Sequence, residues 1–390
     1  MRIYLIRKTV ALTMAAGILS ICGIASAAPE TNELATIGQA LFFDTNLSAN
    51  RTQSCATCHE PGNAFSDGRE SAVSGAVSLG DDGESLGDRN TPGTTYAFLI
   101  PEFHQNAKGE YVGGYFLDGR AATMADQAAE PFVNPFEMAL PDHRALVERV
   151  RENSFYEESL KKHFGGDVFT DTESALNAIT ESIVAFERSD VFAPFNSKYD
   201  RFLRGEYELT VPEELGRKIF FSQLINCHNC HLLDTRELES GEIFSNHQYH
   251  NIGLPANHRV REKNGVHVSH RDLGLLENPA VDDPAMAGKF RVPSLRNVAV
   301  TAPYMHNGVF QDLSTAILFY NKFTLSNPQS QTNPETGELY RDPEVPENID
   351  LDLLRDGQPI AENHVVLLIA FLRALTDQRY ESLLDESSSH

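Results

Sequence analysis

Residues 54–62 read SCATCHEPG and residues 226–232 read NCHNCHL. Each stretch contains the string C-x-x-C-H: Cys55, Cys58 and His59 in the first, Cys227, Cys230 and His231 in the second. In such a string two thiols can add across the vinyl groups of a haem while the adjoining imidazole ligates its iron, the signature of c-type haem attachment. Two copies therefore point to two covalently bound haems, with His59 and His231 as proximal iron ligands. Read alone, the thiols would also suit a structural zinc site made of cysteines only, although zinc needs no histidine directly after both pairs.

The amino terminus places this chemistry outside the cytosol. Arg2, Arg7 and Lys8 precede an apolar run that ends at Ala25-Ser26-Ala27, so residues 1–27 read as a cleaved secretory signal peptide. The apolar run is shorter than a spanning helix needs, which predicts a periplasmic protein without membrane insertion. Apart from Cys22 in that leader, every cysteine lies in one of the two strings. An exported chain is free to form disulfides, yet here no thiol is left over to form one.

Charge excludes further classes. With 32 Lys and Arg against 55 Asp and Glu, the net charge is −23, and about −26 once the leader is gone. Nucleic acids and anionic membranes need a positive field. The charge serves solubility alone or, on a sharper reading, steers a basic protein partner.

The strings have matching surroundings. IGQALFF (Ile37–Phe43) precedes the first and LGRKIFF (Leu215–Phe221) the second, each with helical apolar spacing and a glycine in the same register. Ser174–Arg188 and Ala361–Leu375 form matching amphipathic closing segments. The segments between them, such as residues 75–93 and 327–348, are loops by composition. The expectation is a mainly α fold with long loops: two cytochrome c-like haem domains, 28–200 and 201–390, related by internal duplication. The boundary is expected near Ser197–Thr210, ahead of Pro212 in the first turn of the next helix.

Two longer stretches carry a resemblance. Leu117–Met138 (LDGRAATMADQAAEPFVNPFEM) and Phe290–Gly308 (FRVPSLRNVAVTAPYMHNG) resemble hallmark segments of the bacterial di-haem cytochrome c peroxidases and their MauG-type relatives. The likeness covers nearly the whole chain after the leader. It implies that hydrogen peroxide meets the amino-terminal haem, with Glu137 as acid–base group, Gln127 orienting peroxide or water, and Pro131 at the family spacing. A carboxylate in a dry pocket suits that role. Residues 77–89 lack the histidine that closes the first site in some relatives and offer Asp81, Asp82 and Glu84 instead. At the second haem the resemblance implies Tyr320 as the ligand opposite His231, where peroxidases place methionine; Met305 matches no family ligand. It further implies a calcium ion held by Asn90, Thr301 and Pro303, since hard oxygen donors suit Ca2+. Arg69, Arg120 and Arg296 are the expected propionate partners. The family's inter-haem tryptophan is replaced by Leu117, and the chain has no tryptophan; Tyr115 and Phe116 are the neighbouring substitutes.

These readings predict a di-haem peroxidase fed by a small c-type cytochrome or cupredoxin. A MauG-like oxidase acting on a partner protein is the first alternative, and a non-catalytic di-haem electron carrier the second.

Overall fold

A computed structural model describes residues 33–232, 241–267 and 269–386; the expected signal peptide lies outside them. Both apolar runs ahead of the strings are helices, Glu33–Phe42 and Val211–Phe220. Each packs on the helix that closes its half, Thr172–Glu187 or Glu362–Arg373. A Cβ on Gly38 would lie 1.8 Å from the Ser182 carbonyl oxygen, and one on Gly216 would lie 1.9 Å from that of Leu367. Only glycine lets these backbones approach so closely. The shared register seen in sequence is thus a shared crossing.

The same correspondence runs through the cores. Phe42 packs against Phe65 and Phe186 at ring separations of 6.2 and 5.5 Å. In the second half Phe220 packs against Phe244 and Phe371 at 5.9 and 5.3 Å. All six rings are buried, and each contributes roughly 1.5–3 kcal/mol of hydrophobic stabilisation.

The rest is largely irregular, with two short antiparallel ribbons. In the one that matters for the site, Tyr249–His250 pairs with Phe290–Arg291, Tyr249 opposite Arg291 and His250 opposite Phe290. Residues 75–93 are irregular, as their composition predicts. They nevertheless bury Val77 and Leu86 with Val260 of the second half.

From Glu33 onward the chain is one compact unit. The segment where the boundary is expected begins as a helix, Lys198–Leu203, which Ser197 and Asp200 start with a reciprocal capping box. The halves are further joined by a buried polar knot: Tyr96 donates to Asp377, and Asn297 Nδ2 donates to the same carboxylate at 2.9 Å.

Candidate haem centres

Ser54 and Thr57 cap the one-turn helix Cys55–Cys58, which presents two thiols with His59 following. His59 Nδ1 lies 3.2 Å from the carbonyl oxygen of Phe65, and His231 Nδ1 lies 3.2 Å from that of Phe244. A carbonyl can only accept, so Nδ1 carries the proton and the Nε2 lone pair is free for a metal. Phe65 and Phe244 both have a positive φ, 53° and 60°. That conformation costs a bulky residue about 1–3 kcal/mol. Its use twice, at equivalent places, marks the carbonyl orientation as the purpose.

Gln127 and Pro131 stand one turn apart on helix Met124–Val133. Pro131 has no N–H to return to the Gln127 carbonyl, which loosens the helix there. The chain then turns back: Glu137 N donates to Asn134 O and Met138 N to Pro131 O. This brings Glu137 alongside Pro131. Its carboxylate accepts from Asn134 Nδ2 at 2.9 Å, and its charge reaches both Cys55 and Cys58. Burial raises the Glu137 pKa; Arg120 and the Asn134 bond oppose that rise, while Glu130 adds to it.

The segment without a histidine is fastened down. Asp81 N donates to the Glu137 carbonyl at 2.8 Å, and the Asp81 carboxylate accepts from Asn50 N and Thr52 Oγ1 at 2.5 and 2.6 Å. Asp82 is exposed and bonded to Ser85, and Glu84 is exposed as well.

The second string opens on a cavity of ≈ 410 Å³ whose wall includes Cys227, Cys230, His231 and Tyr320 together with Leu295 and Ile317. Tyr320 ends helix Leu313–Phe319 and packs against the second core. Burial raises its phenol pKa, and the thiols of Cys230 and Cys227 push it the same way. The cavity also reaches Leu117, Met305, Asn90, Thr301 and Pro303, so the position of the missing tryptophan lies in its wall. Asn90 Nδ2 donates to Ala76 O at 3.0 Å, which turns Oδ1 the other way. Tyr115 donates its hydroxyl to Ile100 O, while Phe116 lies under the Arg120 guanidinium at 3.6 Å.

The three expected propionate partners fare differently. Arg69 pairs with Asp67 and lies 3.2 Å from Cys58 Sγ, so it stands beside the first string. Arg120 holds Asp118 and Glu130 at 3.0 and 3.2 Å. Arg296 also lines the cavity, but its Nε, Nη1 and Nη2 are bound to Glu242 O, Ser197 Oγ and the buried Asp200 carboxylate through five hydrogen bonds, matching its five donors. Every donor of Arg296 thus has a partner within the fold.

Two buried groups escaped the sequence reading. Glu187, at the end of the first closing helix, is 6% exposed and its Oε2 has no hydrogen-bond partner; burial pushes its pKa up to about 8. Arg291 lies inside the quoted F-R-V-P stretch, where an arginine between apolar ribbon residues was the available signal.

Among the described residues no group of three or more His, Cys, Asp or Glu is placed to hold a metal ion. The thiol pairs therefore do not converge as an all-cysteine zinc site requires. The cavity wall instead carries unpartnered buried nitrogens, Arg291 Nε and the Nε2 atoms of His247, His250 and His306, beside apolar side chains. A flat apolar group with a polar edge, bound through two thiols and one imidazole, fits that lining. The residues present suit c-type haem.

Two such strings in a largely helical frame define a di-haem c-type oxidoreductase. A sequence model of the di-haem cytochrome c peroxidase family, CCP_MauG, matches residues 32–208, and the chain belongs to that family. It is 50% identical to the methylamine utilization protein MauG of Paracoccus denitrificans (strain Pd 1222) over 361 residues, 93% of each chain. With the cytochrome c peroxidase Ccp of Escherichia coli (strain K12) it shares 30% identity over 74% of this chain and 53% of that one. Among solved structures it is similar to a tyrosine-to-methionine variant of the diheme peroxidase BthA from Burkholderia thailandensis E264, with a TM-score of 0.78 and 32% identity over 89% of this chain and 87% of that one.

Proposed function

We propose that this is a periplasmic MauG-type oxidoreductase that uses hydrogen peroxide as oxidant and draws electrons from a partner protein docked near the second haem. Two covalently held haems would supply the redox chemistry. Glu137 takes a proton from the near oxygen of peroxide and returns it to the far one, with Gln127 orienting the molecule and Pro131 opening the helix beside it. Tyr320 and His231 would hold the iron of the second haem, and the Tyr320 oxygen, on losing its proton to that site, would favour the higher oxidation states of the iron. Asn90, Thr301 and Pro303, which line the same cavity, would supply hard oxygen donors for a calcium ion.

The observation that carries this reading is Tyr320 in one cavity wall with His231, at the place where peroxidases of the family use methionine. Half of all aligned positions are shared with a MauG protein, which supports the same choice. Electron paramagnetic resonance of the oxidised holoprotein tests it: one high-spin and one low-spin ferric signal are expected, and Tyr320→Phe should alter only the low-spin one. Two low-spin signals with no binding of cyanide or peroxide would leave only an electron carrier.

A second reading is favoured by Leu117. Without the family's tryptophan, peroxide reduction with electrons from a small c-type cytochrome or cupredoxin becomes the competing activity. Rapid steady-state turnover with such a donor, and none with protein substrates, would decide for it.

A further inference from the structure

Arg291 is the exception among the buried arginines. Of the described arginines exposed by less than a tenth, Arg217 pairs with Glu214, Arg261 with Asp88 and Glu344, and Arg296 with Asp200. Arg291 is 7% exposed and has no carboxylate partner. Its one side-chain hydrogen bond runs from Nη2 to Phe116 O at 3.3 Å, and its Nε has none. The carboxylate whose charge reaches it, Asp118, is held by Arg89 and Arg120. Tyr249 and Tyr115, which also face it, are kept protonated by burial. An uncompensated buried guanidinium costs several kcal/mol, so a fold that keeps one implies an anion supplied from elsewhere. Arg291 lines the cavity that contains Cys227, Cys230 and His231.

We propose that Arg291 binds the carboxylate edge of the haem attached at the second string. The inference rests on the reading that this string carries haem. It also assigns a reason for the ribbon geometry: Arg291 N donates to Leu117 O at 2.9 Å, so one residue ties that carboxylate to the segment where Leu117 replaces tryptophan.

The test uses the holoprotein and its variants Arg291→Gln and Arg291→Lys, read by spectroelectrochemical titration of both centres. Removing a buried cation disfavours the reduced state, so Arg291→Gln should shift the second centre's midpoint potential downward and leave the first unchanged; lysine should restore part of the shift. Unchanged potentials with both haems bound would overturn the proposal. If the glutamine variant does not fold, a crystal structure of the unmodified holoprotein decides, with guanidinium-to-carboxylate hydrogen bonds supporting the assignment and a guanidinium turned away from the haem refuting it. Absence of covalent haem at Cys227 and Cys230 would instead fail the underlying reading, and this proposal with it.

Discussion

His231 donates its Nδ1 proton to the carbonyl of Phe244 across 3.2 Å, so the tautomer of the second proximal histidine is set by backbone. A side-chain substitution cannot delete that acceptor. Because Phe244 is also buried among Phe220, Phe371 and Tyr199, the aromatic core that stabilises the half also aims its iron ligand. Packing and coordination are therefore coupled, and damage to a helix crossing should reach the haem spectrum.

That coupling is testable at the crossings. Gly38→Ala and Gly216→Ala each force a Cβ into a carbonyl oxygen at under 2 Å, and overpacking costs about 1–3 kcal/mol or more. Each variant should lower the melting temperature and perturb the absorption of its own haem. Equal perturbation of both haems by either variant would contradict the separate cores.

Glu137→Gln should reduce peroxide-dependent turnover by about 10²–10⁴ while both haems remain bound. The Glu137 pKa is raised, chiefly by burial, so the proton-accepting carboxylate forms only above the usual glutamate range. Activity should fall as pH drops through that elevated midpoint. Arg120 opposes the rise, and Arg120→Gln should move the midpoint further up; a midpoint that moves down would be incompatible with this assignment.

Asp200→Asn leaves the Arg296 guanidinium buried without its charge partner, and breaking a buried pair costs about 3–5 kcal/mol. The loss should appear in chemical denaturation, with the second centre's potential unchanged in whatever folds. A shifted potential at normal stability would tie Arg296 to the haem.

Glu187 gives a stability signature in pH. Its folded pKa is raised to about 8 by burial, whereas an unfolded glutamate titrates near ~4.3. The folded state holds the proton longer, so Glu187 weakens stability progressively as pH rises from about 4.3 to about 8, by a few kcal/mol in all. Glu187→Gln should therefore stabilise the protein at about pH 8 and change little at about pH 4, as thermal melts at the two pH values would show. The reverse ordering would place an unseen cation beside Glu187.

Local chemistry was legible in the chain itself. C-x-x-C-H names its own ligands because thioether attachment needs adjacent residues, and the glycine-centred runs before each string declare their helices because a close crossing tolerates nothing larger. Resemblance extended this to Glu137, Tyr320 and Asn90. The role of a charged side chain was not legible, since it depends on partners remote in sequence. Arg296 is neutralised by Asp200, 96 residues away, while Arg291, five positions earlier, is left without a carboxylate by the same fold. Covalent attachment is written in neighbouring residues, but the electrostatics of a buried cavity come from whichever distant groups folding brings against it, and only the tertiary structure decides those.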